Sequence, residues 1–196
     1  MARDAAGPGR PRSDASHEAI LKATLEILLE SGFGKLSIEG VAARAKVGKT
    51  SIYRWWPSKG ALAVDAFVAV VSPTVSLPTA SARLDLEVHL RKLARAYRGE
   101  TGRLVREMIG SGLMDPDAMK RFDEAYLEPR RAAARAVLHR GVASGELRDD
   151  LDIDVIVDAI YAPIFQRLLV GHASIDDAFV TMLLDVVLSG LAKKAV

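Results

Sequence analysis

Val47-Gly48-Lys49-Thr50-Ser51-Ile52-Tyr53-Arg54-Trp55-Trp56-Pro57-Ser58-Lys59 is cationic, rich in hydroxyl and aromatic groups, and stopped abruptly by Pro57. Lys49, Arg54 and Lys59 can neutralise phosphates, while Thr50, Ser51, Tyr53 and the indole N–H groups can hydrogen-bond phosphates or base edges. The chemistry points to duplex DNA. Just upstream, Ser37 caps a helix whose Ile38, Val41, Ala42 and Ala45 share one small apolar face, and Lys46-Val47-Gly48 supplies a tight turn. The spacing predicts a short third helix over 49–56, with Ile52 inward, Trp56 as the buried indole and Tyr53 as a phosphate contact. Two short helices joined by a glycine-containing turn, the second cationic and exposed, are the sequence form of a helix-turn-helix.

Working back towards the N-terminus, residues 1–13 lack periodicity, and Gly7-Pro8-Gly9-Arg10-Pro11-Arg12 reads as a disordered basic arm. Arg10 and Arg12 on such an arm suit a minor groove. The segment has no apolar run of the kind a signal peptide or membrane anchor needs. A helix is expected from Asp14, capped by Ser13 or Asp14, carrying Ile20, Ala23, Leu25, Ile27 and Leu28 as far as the break at Gly32-Phe33-Gly34.

Beyond the stretch, Ser58 caps a helix through Leu62, Val64, Phe67 and Val71, and residues 72–81 form a proline-containing loop. Helical spacing returns over 83–98, breaks between Gly99 and Gly102, and resumes briefly over 104–109 before Gly110-Ser111-Gly112. Asp115-Pro116 opens a long helix that reaches Gly141 or Gly145 with a kink at Pro129. The last two helices, over 152–170 and 174–194, are apolar around most of their circumference, so each must bury more than one side. A second copy of the chain is the simplest partner. The expectation is an all-α chain of about nine helices with no strand. Residues 14–60 form the DNA-binding module and residues 61–196 a helical body.

Composition bounds the function. The 196 residues are 49% hydrophobic, contain no cysteine and carry a net charge of only +2. Nucleic-acid affinity must therefore come from a local cluster rather than an overall field. Without cysteine there is no disulfide framework or thiolate chemistry, which suits the cytoplasm. The most apolar stretches carry Asp158, Arg167 and Asp185, which argues against a membrane span. Gly48-Lys49-Thr50 is not the end of a phosphate-binding P-loop, because Ala43 stands where that motif needs glycine and a helix precedes it. His17, His89, His139 and His172 are scattered without metal-ligand spacing, and no serine or carboxylate pair suggests catalysis. No cofactor and no metal are expected.

The stretches Gly32-Phe33-Gly34, Leu36-Ser37-Ile38-Glu39-Gly40-Val41-Ala42 and Val47 to Leu62 together resemble the TetR family of bacterial transcriptional regulators. The resemblance covers the first third of the chain at motif level and the rest in helix number and order. It implies a homodimer with two DNA-binding heads and a ligand-binding body that changes their spacing. Ser37 would touch a phosphate, Gly48, Lys49, Thr50 and Ser51 would enter or border the major groove, Tyr53, Trp55 and Lys59 would hold the backbone, and Arg54 would reach a base or phosphate. Lys46 and Gly48 depart from the family's usual Gly and Ser, and Arg54 from its His or Tyr.

The same resemblance places Leu90, Leu93, Tyr97, Met108, Met114, Phe122, Tyr126, Tyr161 and Phe165 on the helices that enclose an effector cavity. The tyrosines, His89 and Arg167 are the polar anchors available, which points to a mainly apolar small molecule. The reading is a sequence-specific regulator, a repressor released from a near-palindromic operator by such an effector, dimeric through the last two helices. Two rivals stand beside it: a constitutive DNA-binding protein without an effector, and a helical adaptor or enzyme with a vestigial DNA-binding module.

Overall fold

Apolar residues recur three and four apart in each stretch between turns, and that period leaves helix as the way to bury them on one side. The computed structural model describes residues 10–71, 79, 81–112, 115–150 and 152–191. They form α1 (Arg10–Ser31), α2 (Ile38–Ala45), α3 (Lys49–Tyr53), α4 (Lys59–Val68), α5 (Ala82–Tyr97), α6 (Glu100–Gly112), α7 (Pro116–Phe122), α8 (Glu128–Ala143), α9 (Ile153–Val170) and α10 (Asp177–Ser189). A π-helical stretch, Asp123–Leu127, runs α7 into α8, so the described residues make nine rods and no strand. Six helices open on a side-chain cap: Ser37, Ser58, Ser81, Asp115, Asp152 and Asp176 each accept a backbone N–H from the first turn. Each such cap contributes about 1 kcal/mol.

Several boundaries differ from expectation. The first helix begins at Arg10 rather than Asp14, since Pro11 sits in the first turn, where a missing N–H costs nothing. Arg10 and Arg12 thus have helical backbones rather than an extended arm, and their side chains lie outside the described residues, as does most of the 72–81 loop. The third helix stops at Tyr53, not Trp56: its last turn tightens, with the Trp55 and Trp56 N–H groups both on the Ile52 carbonyl, before Pro57 ends the run. Neither Gly102 nor Gly110 breaks α6. Gly102 is instead a point of close approach, where a Cβ would lie 2.0 Å from the Tyr97 carbonyl oxygen. Pro129 stays within the long rod, as expected. It falls in the first turn of α8, just after the π stretch has loosened the hydrogen-bond ladder that proline would interrupt. The last helix begins at Asp177 rather than Ser174, where Asp176 provides the cap.

Ile20, Leu28, Val41, Ile52 and Leu62 close the core of the N-terminal module, and Leu86, Leu90, Phe122, Tyr126, Leu138, Ile160 and Ile164 that of the body. The two cores are continuous through α4, which packs on α1 on one side and on α7 on the other. Polar contacts pin this joint. Ser58 Oγ donates to Asp115 Oδ2 at 2.7 Å, and Arg121 Nε donates to Asp65 Oδ1 at 2.6 Å. Arg103 Nη2 donates to the Leu28 carbonyl at 3.1 Å, and Glu107 Oε2 accepts the Phe33 N–H at 2.7 Å.

Gly60 lets α4 and α7 approach, since a Cβ there would meet Ala118 Cβ at 2.6 Å and Asp115 Oδ2 at 2.7 Å. Ala118 Cβ is fixed to its helix and cannot swing away. Gly60→Ala is therefore expected to destabilise the protein by about 1–3 kcal/mol in urea unfolding, despite the better helix propensity of alanine.

Candidate nucleic-acid interface and body cavity

The helix-turn-helix is built by one strained residue and two inward anchors. Lys46 ends α2 in the left-handed region at φ 56°, with its N–H bonded to the Ala42 and Ala43 carbonyls, and this reverses the chain into α3. An L-residue there costs about 1–2 kcal/mol, which accounts for the family's usual glycine. Ile52 and Trp56 are buried. The Trp56 indole stacks on His17 at 4.8 Å and donates its N–H to Asp65 Oδ2 at 2.9 Å, so the ring is fixed on a face and at its polar edge.

With those two residues inward, Gly48, Lys49, Thr50, Tyr53, Arg54, Trp55 and Lys59 are exposed and Ser51 is half-buried. Tyr53 is 53% and Trp55 42% exposed, large rings that the protein's own core does not use. Arg54 lies over the Trp55 ring at 5.4 Å. Ser37 Oγ accepts the Gly40 N–H at 3.1 Å, and its own proton is directed by nothing among the described contacts. Lys59 Nζ lies 4.9 Å from the Phe33 ring centre and donates to the Leu36 carbonyl at 3.4 Å, which offsets its unfavourable place in the first turn of α4. Lys49 Nζ is 3.1 Å from Glu39 Oε1. The Glu39 carboxyl is held below the ordinary range, first by its own backbone N–H and then by Lys49, so it stays ionised at neutral pH. His17, Glu39 and Asp65, which position or compete with these groups, carry no local signal in the sequence. Their partners Trp56, Lys49 and Trp56 lie 39, 10 and 9 residues away.

In the body, a cavity of about 380 Å³ is lined by Tyr97, Leu127, Arg130, Arg131, Asp158, Tyr161, Ala162 and Phe165. Of the residues expected to enclose an effector, Tyr97, Tyr161 and Phe165 line it, Leu90, Leu93, Met108, Phe122 and Tyr126 are buried core residues outside its lining, and Met114 lies outside the described residues. Amphipathic helices place apolar side chains on core and cavity alike, so the stripe could not separate them. The expected polar anchors are already engaged. Tyr126 donates to Tyr97 at 3.3 Å, and Tyr161 donates to the Arg130 carbonyl at 3.2 Å while lying 2.7 Å from His89 Nε2. Arg167 faces the Ser174 carbonyl and the Phe179 ring, away from the cavity lining. Burial raises the hydroxyl pKa of Tyr97 and Tyr161, keeping both neutral.

A helix-turn-helix with exposed cations and rings, followed by a hollow helical body, defines a one-component DNA-binding regulator. The family description "Bacterial regulatory proteins, tetR family" matches residues 20–66, and "Tetracyclin repressor-like, C-terminal domain" matches residues 77–187. The chain belongs to the TetR family of transcriptional regulators. It is 39% identical to the HTH-type transcriptional regulator YdeS of Bacillus subtilis over 88% of this chain and 87% of that one. It is 31% identical to the DNA-binding transcriptional repressor TetR of Mycobacteroides abscessus, over 90% and 94%. The crystal structure of the TetR family transcription regulator SCO0332 superimposes with a TM-score of 0.76 at 37% identity, covering 91% of this chain and 99% of that one. No described helix is long and apolar enough to cross a membrane.

Glu39 occupies the Lys49 ammonium and adds a negative charge beside the exposed cations of α3. Glu39→Gln is expected to tighten duplex DNA binding about two- to fivefold in fluorescence anisotropy at fixed salt.

Proposed function

We propose that this regulator is a repressor that grips a near-palindromic operator as a homodimer and releases it when a small molecule occupies the body cavity. The observation that carries DNA recognition is the exposed set around α3. Lys49, Tyr53, Trp55 and Lys59 supply backbone contacts, Gly48, Thr50, Ser51 and Arg54 meet base edges, and Ser37 adds a phosphate contact at the start of α2. Arg10 and Arg12, in the first turn of α1, add cations for phosphate contact rather than an arm in the minor groove. In this reading residues 14–60 are the head and 61–196 the body, working in the cytoplasm where the chromosome lies. The repressor sense follows the Mycobacteroides abscessus relative, a DNA-binding transcriptional repressor.

Dimerisation rests on α9 and α10. Val155, Leu169, Val170, Met182 and Val186 are large apolar side chains left exposed on these two helices, with Met182 at 68% and Val186 at 70%. Such surface in a single chain marks a contact, and two-fold pairing of the same face buries it on both copies. Two heads on one symmetric body read two half-sites about one helical turn or a simple multiple apart. An effector then acts by differential affinity for the body conformation that fits both half-sites and the one that does not.

Lys49→Ala combined with Tyr53→Ala is expected to weaken specific binding about ten- to hundredfold in anisotropy titrations, with Lys49→Ala alone lowering the salt slope by about one. Unchanged affinity would remove α3 from the interface. Met182→Asp with Val186→Asp should shift the protein from dimer to monomer in sedimentation velocity at micromolar concentration. A persisting dimer would place the contact elsewhere.

A further inference from the structure

Arg130 is a charged side chain of the cavity lining whose bonding a ligand would complete. It is 5% exposed, its guanidinium stacks on the Tyr126 ring at 3.6 Å, and Nη1 donates to the Tyr126 carbonyl at 2.7 Å. Its Nε is buried without a partner, and no carboxylate among the described residues pairs with it. A buried cation lacking a counter-charge is costly to maintain, and the ring face and one carbonyl supply no negative charge. The other ionic groups of the lining cancel each other. Arg131 pairs with Asp158, whose side chain is 63% exposed, so that pair sits towards solvent and leaves Arg130 as the uncompensated charge.

A second donor stands nearby. Tyr97 and Tyr126 share one O–H···O contact of 3.3 Å in which either hydroxyl can donate, and with Tyr126 as donor the Tyr97 proton is available to a ligand in the cavity. Tyr161, by contrast, has already donated to the Arg130 carbonyl. The remaining walls are the side chains of Leu127, Ala162 and Phe165 and the tyrosine ring faces. An unpaired guanidinium and a tyrosine hydroxyl in one lining, apolar wall elsewhere and a volume near the lower end of ligand pockets describe a small amphiphile with an anionic head.

We propose that the effector is a small, largely apolar carboxylic acid, bound as the carboxylate with Arg130 as its counter-ion and the Tyr97 hydroxyl as a second donor. The proposal rests on the reading of this cavity as the effector site. The planar guanidinium suits the two carboxylate oxygens, whereas an amine would meet a like charge and an amide would leave that charge uncompensated.

The test is isothermal titration of the full-length protein with decanoate, 2-naphthoate and biphenyl-4-carboxylate, each against its primary amide, alongside release of an operator-selected duplex. The acids that fit should bind about tenfold or more tighter than their amides. Arg130→Met should abolish that preference, and Tyr97→Phe should reduce it several-fold with the fold intact. Thermal melting separates these losses from misfolding, and Tyr97→Phe removes only one oxygen should the Arg130 variant fail to fold. Amides binding as tightly as acids, or no acid in the panel binding, overturns the proposal. An amide that binds equally and still releases DNA leaves the effector reading standing. An acid that binds with the expected preference but leaves operator affinity unchanged upholds the acid site and removes its regulatory role.

Discussion

The carboxylate of Asp65 accepts the Trp56 indole N–H on one oxygen and the Arg121 guanidinium on the other, and the geometry of head against body depends on it. Trp56 closes the core behind the recognition helix, and Arg121 stands on the rod that continues into the cavity wall. Because the Asp65 side chain is only 20% exposed, removing either partner would leave a poorly solvated charge rather than a neutral gap. Gly60 and the Ser58 to Asp115 bond hold the same joint from the other end of α4. The recognition helix, five residues long, has little stability of its own, so its placement is a property of this packing.

The rod from α7 through the π stretch to α8 carries the two functional regions on one backbone. Asp115 touches the head at Ser58 and Arg121 holds α4 at Asp65, while Leu127, Arg130 and Arg131 line the cavity roughly two turns further along. Between them the π stretch exchanges the usual hydrogen-bond register for a looser one, as such segments commonly do at functional sites. In the proposed release mechanism, a ligand drawn to Arg130 acts on the same rod that holds Asp65. A small rotation at the cavity is thereby delivered to α4 and to Trp56 without passing through a flexible linker.

What the sequence made legible follows from range. The helix-turn-helix could be read because its signals are local: the Ser37 cap, the turn at Lys46 to Gly48, the inward Ile52 and the cationic, aromatic 49–59 run all lie within one short window. Trp56 could be assigned to the core over Trp55 for the same reason. Helix ends failed where a competing local rule prevailed, as with Pro11 inside a first turn and the tightened last turn of α3 ahead of Pro57. Three of the eight lining residues were legible: Tyr97 shares a stripe of α5 with Leu90 and Leu93, Tyr161 and Phe165 stand among the apolar residues of α9, and periodicity does not reveal which member of a stripe faces a void. Arg130 was hidden for a sharper reason. On a helix dense in arginine it looks like a solvated charge, and only the fold shows it turned inward beneath Tyr126.

The central claim is that paired, rigidly mounted α3 helices read a symmetric DNA site. Selection of bound duplexes from a random pool by the full-length protein tests it most directly. The account predicts enrichment of an inverted repeat whose half-sites lie about one helical turn, or a simple multiple, apart. Enrichment of a single unpaired half-site, or no enrichment at all, would contradict it.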